Sequence, residues 1–207
     1  MAKSVLSAVA AGATEIIVSD GGSRDRTLEI ASEAGVSRIV RSLPGRGVQM
    51  NSGAQLAENK FVLFLHADNE LSGHALEQLC DHEKAVWGAF RQRIDSPRMI
   101  YRLIEWGNQW RVQWRGVPFG DQGIFVRRSL FEKLGGFAEI PLMEDVEISQ
   151  RLREIEKPML LQGPLTISAR RWEKRGVLRQ TVTNWLIQLS YFRGVPAEQL
   201  ARRYYGG

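Results

Sequence analysis

Apolar residues fall into short runs that alternate with amphipathic segments through the first half of the chain. Residues 14–20, "TEIIVSD", form a β-branched run that stops at Asp20. After it, "GGSRDRTLEIASEAG" gives a tight glycine turn, a cap at Ser23 or Asp25, and a helix that Gly35 ends. "SRIVRS" predicts a second strand, "GRGVQMNSGAQLAEN" a glycine-flanked helix, and "KFVLFLHAD" a third strand. That strand is apolar at nearly every position, as one buried on both faces should be. "SGHALEQLCDHEK" predicts another helix, and the opening "MAKSVLSAVAAGA" reads as an amphipathic helix rather than a leader peptide.

The second half changes character. "VWGAFRQRI" and "GIFVRR" predict strands, and between them "RMIYRLIEWGNQWRVQWRG" is aromatic and basic at helical spacing. A short helix in "SLFEKLGGF", a helix over "EDVEISQRLREIE", an extended "PMLLQGPLTIS" and a long terminal helix over "VLRQTVTNWLIQLSYFRGV" complete the pattern. Such alternation predicts an α/β fold with a largely parallel sheet and helices on both faces. Ligands of such sheets sit beyond the carboxyl ends of the strands. Asp20 and the segment His66 to Asp68 both lie at such ends, so the two are expected to meet at one cleft.

Composition narrows the field only slightly. The chain has 207 residues, enough for one domain with a substantial core, and one cysteine, which excludes an internal disulfide and a multi-cysteine zinc site. Eighteen apolar residues never run together, so no membrane span is expected. The formal net charge of +5 admits an anionic partner: nucleic acid, a phosphorylated small molecule or an acidic lipid surface. No nucleic-acid recognition motif is present, and the basic residues form no obvious stripe, which argues against the first.

Four clusters carry candidate chemistry, each with a plainer alternative. Asp68 can hold a divalent cation completed by a diphosphate, or merely cap the next helix; His66 can ligate metal, bind phosphate or be satisfied by backbone. The turn at Asp20, Gly21 and Ser23 lacks both the P-loop lysine and the dinucleotide-binding glycine spacing, so Asp20 either accepts hydrogen bonds from a base or sugar or organises an ordinary turn. Glu144 and Asp145 open a helix where the macrodipole favours anions, which suits a general base and suits capping. Arg170, Arg171, Lys174 and Arg175 could neutralise a diphosphate. Trp106, Trp110 and Trp114 could stack on a sugar, meet lipid or form a core stripe.

The order of these clusters is more specific than any one. "DGGS" at Asp20 to Ser23, "HAD" at His66 to Asp68, "GDQ" at Gly120 to Gln122, "PLMED" at Pro141 to Asp145 and "RRW" at Arg170 to Trp172 resemble a small bacterial branch of the family 2 glycosyltransferases. The resemblance covers nearly the whole chain. It implies the GT-A fold, with a nucleotide-sugar-binding half at residues 1–95 and an acceptor-binding half at 96–207 around a mostly parallel mixed sheet. It further implies a hexosyltransferase-like enzyme that moves a sugar from a nucleotide-diphosphate sugar, most often a uridine diphosphate sugar, to an acceptor hydroxyl with inversion. Asp20 with Gly21 and Ser23 would meet the base, Arg46 base or phosphate, and Asp68 a manganese or magnesium ion with the diphosphate, His66 standing beside it. Asp145 would be the base, with Glu144 orienting. Asp121 and Gln122 would line the acceptor side, and Arg170, Arg171 and Trp172 would face the acceptor or the leaving diphosphate. A cytoplasmic location, peripheral contact with the inner membrane, a lipid-linked acceptor and a homo-oligomer are all compatible with it.

One feature departs from the pattern. Family members begin with a central strand ending in a Pro-x-x-Asn-Glu-like motif, whereas this sequence begins at the following helix. A start at an internal methionine or a partial loss of the donor site would both produce this. The gap is expected to be closed by neighbouring strands or filled by a partner chain, because a missing central strand strands backbone groups. If the donor site is lost, a non-catalytic module that binds membranes or partners is the competing expectation.

Overall fold

The computed structural model describes residues 1–82 and 84–206. The chain opens with helix α1 (Ala2–Ala10), strand β1 (Ile17–Asp20), helix α2 (Thr27–Glu33), strand β2 (Arg38–Arg41) and helix α3 (Arg46–Ala54). Strands β3 (Phe61–Leu63) and β4 (Asn69–Leu71), helix α4 (Ala75–Asp81) and strand β5 (Trp87–Asp95) follow. Helix α5 (Met99–Arg115), a 3₁₀ turn (Gly120–Gln122), strand β6 (Phe125–Arg127) and helices α6 (Arg128–Lys133) and α7 (Glu144–Ile155) lead to strand β7 (Met159–Ser168). Helices α8 (Arg170–Arg175), α9 (Val177–Phe192) and α10 (Ala197–Tyr205) end the chain.

Strands and helices alternate as the sequence pattern requires, but the sheet is mixed rather than largely parallel. Five strands run in the order β3-β6-β5-β7-β4, and only β5 and β7 pair parallel within them. Alternation counts helices but not the path by which a loop returns, and the segment after α5 brings β6 in antiparallel to both neighbours. Strand β4, three residues long, is too short to show a period, yet it closes one edge against β7. β5 and β7 approach closely at Gly88, where a Cβ would lie 2.0 Å from the Met159 carbonyl oxygen.

The two strands β1 and β2 form a separate parallel pair. Closure of the neighbouring strands does not occur: among the described residues β1 is not hydrogen-bonded to β3. The two sheets are joined instead by side chains, with Ile16 packing against the cluster that holds Phe61, Leu63 and Phe125. A second core gathers Val62, Phe64, Trp87, Phe131, Phe137 and Ile148, and its aromatic rings meet edge to face, with Phe64 and Phe137 centroids 4.7 Å apart. The long terminal helix breaks at Gly194, and α10 folds back so that Leu200 packs with Ile187 of α9. This return was not legible, because Val195 and Pro196 look like a chain end rather than a hinge into another helix.

Candidate active site

Strand β3 delivers a backbone that leaves the core at His66, whose carbonyl accepts hydrogen bonds from the Ser4 hydroxyl at 3.1 Å and the Asn69 N–H at 3.0 Å. Its ring nitrogen Nε2 lies 2.8 Å from where a Cβ on Gly120 would stand, so only glycine lets the 3₁₀ turn come so near. Burial pushes the imidazole pKa down, aided by nearby Arg46 and opposed by Asp121, Asp145 and Asp68. His66 is therefore neutral near pH 7, and carboxyl groups of three separate segments act on it electrostatically. Asp68 itself is exposed and takes no hydrogen bond or ion pair among the described residues.

The same 3₁₀ turn is met by the start of α7. Met143 precedes it in the left-handed region, at φ 70°, a conformation an ordinary side chain adopts only at a cost of about 1–3 kcal/mol. That turn drives Glu144 inward and leaves Asp145 partly open. Asp145 accepts the Gly120 N–H on Oδ2 at 2.7 Å and the Val146 N–H on Oδ1 at 2.8 Å, which ties the helix to the 3₁₀ turn. Glu144 is sealed, 1% exposed, and accepts both arms of Arg46, at 2.9 Å from Nε and 3.2 Å from Nη2. Burial raises its pKa to about 7, with Asp145 adding to the rise and Arg46 opposing it. Arg46 loses charge stability to burial, and Glu144 and Asp145, with Tyr205 and Tyr204, together more than offset that.

Asp121 follows Gly120 and is pushed above the ordinary carboxyl range by burial, against the pull of Arg111 and His66. Gln122 is wholly buried, its Oε1 accepting from Arg111 at 2.6 Å and from the Phe119 N–H at 3.1 Å. Arg111, from α5, also donates to the Val117 carbonyl and to Asn108, and its guanidinium lies 3.3 Å from the Phe119 ring centroid. Burial lowers its pKa to about 10. This arginine braces the turn that carries Asp121, and sequence reasoning missed it. Among the basic residues of an aromatic helix, nothing marks one as turned inward.

Other expected residues stand apart. Asp20 is buried at the end of β1, and its carboxylate accepts the Gly22 and Ser23 N–H groups at 3.1–3.2 Å. Ser23, through its side chain first, holds the Asp20 pKa below its ordinary value. No hydrogen bond or ion pair joins Asp20 to His66 or Asp68 among the described residues. Helix α3 is the link between them: Arg46 reaches α7, while Gln49, three residues on, donates to the Ser19 carbonyl at 3.3 Å and crowds Gly21. Arg170 is exposed, Arg171 donates to the Tyr204 hydroxyl at 3.1 Å, and Trp172 is buried against Tyr101 in the core. Trp172 thus packs the base of α8, and among the described residues neither arginine bonds to the acids. Trp106, Trp110 and Trp114 are exposed, so the core-stripe alternative is overturned.

Among the described residues no three acids, histidines or cysteines cluster into a complete metal cage. One open carboxylate at Asp68 beside a neutral imidazole fits magnesium or manganese, which take few protein ligands and leave the rest to phosphate and water.

A family model described as glycosyl transferase family 2 matches residues 1–135. The chain belongs to that family. It is 28% identical over 162 residues to a probable glycosyltransferase, YdaM, of Bacillus subtilis (strain 168), covering 67% of this chain and 39% of the relative. Among solved structures, residues 1–349 of TarS from S. aureus superpose with a TM-score of 0.61 at 16% identity, over 81% of this chain and 56% of that one. The Mycobacterium tuberculosis glucosyl-3-phosphoglycerate synthase, solved with Mn2+, uridine diphosphate and phosphoglyceric acid, gives 0.53 at 16% identity over 80% of this chain and 64% of that one. The fold of this family 2 member is therefore GT-A, and the chain spans about two fifths of the curated relative and just over half of the TarS chain.

Proposed function

We infer that the protein transfers a sugar from a nucleotide-diphosphate sugar, taken first to be a uridine diphosphate sugar, to an acceptor hydroxyl with inversion. The observation that carries this reading is that half-buried His66 and Asp145 meet at Gly120, where a Cβ would lie 2.8 Å from His66 Nε2 and 3.4 Å from Asp145 Oδ2, with the Asp145 carboxylate fixed on the Gly120 N–H. The donor lies over residues 1–95 and the acceptor over 96–207. Asp145 takes the proton of the acceptor hydroxyl as its oxygen bonds to the anomeric carbon, and the bond from that carbon to the diphosphate oxygen breaks. A divalent cation held by Asp68, when bound, supplies charge stabilisation to the departing diphosphate. His66, neutral, can donate a hydrogen bond to a phosphate oxygen. Glu144 and Arg46 position the start of α7, and Arg111 with Gln122 positions the turn bearing Asp121. Arg170 is exposed and Arg171 is held by the Tyr204 hydroxyl, and neither is assigned a part in the transfer. The support from known proteins is family membership together with the manganese and uridine diphosphate held by the M. tuberculosis neighbour.

A panel of uridine diphosphate sugars with manganese, followed by release of uridine diphosphate, tests this reading. Release by the wild type and its loss in Asp145→Asn are expected. A second reading, a non-catalytic module, is favoured by one observation: the Asp20 carboxylate is already occupied by its own turn on a strand pair apart from the main sheet. Failure to release or to bind uridine diphosphate would select it.

A further inference from the structure

Helices α5 and α9 come near each other at both ends. Near their first turns Val177 packs with Ile100 and Ile104. At their last turns the Arg115 guanidinium stands 5.9 Å from the Phe192 ring. Each presents an apolar stripe that stands exposed among the described residues. On α5, Met99, Leu103, Trp106, Trp110 and Trp114 recur at helical spacing and are 45–76% exposed. The three indoles form a ladder, with Trp110 and Trp114 stacked at 5.2 Å. On α9, Leu178, Val182, Trp185, Leu186, Leu189 and Phe192 are 41–75% exposed. Eleven large apolar side chains on two adjoining helices exceed the scattered exposure normal for a soluble surface.

The charges around these stripes say what covers them. Residues 98–116 and 169–194 carry ten arginines and lysines and two acids, a formal +8 against +5 for the whole chain. Of the two acids, Glu105 is buried and paired with Arg102, so it offers little to a partner. Arg98, Arg115, Lys174, Arg175, Arg179 and Arg193 are exposed at the ends and flanks of the stripes. Tryptophan and leucine beside arginine and lysine is the composition that lies in the headgroup region of a bilayer. A second copy of the chain is the poorer occupant, because a two-fold contact would set two strongly basic surfaces against each other. Among the described residues no helix is long and apolar enough to cross a membrane, so the contact would be one of lying on the surface.

We propose that the α5 and α9 face docks the protein on an anionic lipid bilayer, indoles in the interface and arginines on the headgroup phosphates. The same helix α5 holds Arg111 against Gln122, so the bilayer surface lies about one helix diameter, ~10 Å, from the turn that carries Asp121. Docking is independent of glycosyl transfer and needs no nucleotide.

The full chain is mixed with vesicles of phosphatidylcholine containing phosphatidylglycerol and with vesicles of phosphatidylcholine alone, then sedimented. Binding to the anionic vesicles, with a blue shift of tryptophan emission, is expected, since Trp106, Trp110, Trp114 and Trp185 are exposed while Trp87 and Trp172 are buried. Adding salt should release the protein. Replacing Trp110, Trp114 and Trp185 by alanine should weaken vesicle binding by about tenfold or more, with an unchanged melting temperature. If that variant melts lower, the pair Arg175→Glu and Arg179→Glu makes the same test through charge. No binding to anionic vesicles, equal binding to neutral ones, or a dimer in solution that these same substitutions dissociate would overturn the proposal.

Discussion

The Asp20 turn and the start of α7 are both acidic junctions, yet they are built to opposite ends. Asp20 gives its carboxylate to the N–H groups of the two-residue turn behind it, and local backbone satisfies it. Asp145 reaches across the molecule to Gly120, while its neighbour Glu144 is sealed against Arg46 and raised to about pH 7. One junction spends its charge on its own fold. The other brings charges from distant segments together and keeps them under tension, which is where chemistry is expected.

That contrast can be broken most sharply at Asp145. Asp145→Asn should lower transfer by about 10²–10⁴-fold, the range for loss of a general base, while manganese-dependent nucleotide binding persists. Equal loss of binding would mean that the residue only holds the fold. Gly120→Ala comes next: the added methyl meets His66 Nε2 at 2.8 Å and must displace it. A loss of about 1–3 kcal/mol in urea unfolding is expected, as for overpacked sites, together with reduced nucleotide affinity. Unchanged stability and affinity would place the turn farther from His66 than described.

Glu144 gives a pH signature of intermediate size. Its folded pKa, about 7, lies above the ordinary 4.5, so the native state binds the extra proton and stability falls as pH rises between those values, then levels. Removing the titration in Glu144→Gln should make the variant gain on the wild type across that window. A flat difference between the two unfolding series would refute the burial of an ionisable Glu144. The smallest effect is expected at Asp20, whose folded pKa is lowered below 3.8. Its stabilisation is present above that value and fades as pH falls through the lower one. Asp20→Asn should therefore change acid unfolding only at the acidic end, and a change near neutrality would show that Asp20 interacts beyond its turn.

Much of this was readable without coordinates. Asp68 stood out because a greasy strand ended in acid, and Asp145 because an acidic pair opened a helix after a proline-containing approach. The ion pair between Arg46 and Glu144 was hidden, since it joins residues 98 positions apart and each looks like an ordinary helix start. Arg111 was hidden among tryptophans, because a helical wheel shows which residues share a face but not which face a neighbouring loop will cover. Strand direction escaped for a similar reason: periodicity records that β6 exists, not the end from which the chain enters it. Trp172 looked like part of a basic ligand site because its neighbours in sequence are arginines, whereas it fills the space beneath Tyr101.

Transfer by this protein requires that Asp68 hold a cation and a diphosphate while Asp145 takes the proton. Calorimetric titration of uridine diphosphate into the protein, with manganese and with a chelator, tests it directly on the wild type and on Asp68→Asn. Binding that requires manganese and weakens by about tenfold or more in Asp68→Asn is predicted, the loss expected when the main protein ligand of a metal is removed. Binding indifferent to both the metal and the substitution, or none at all, would contradict it.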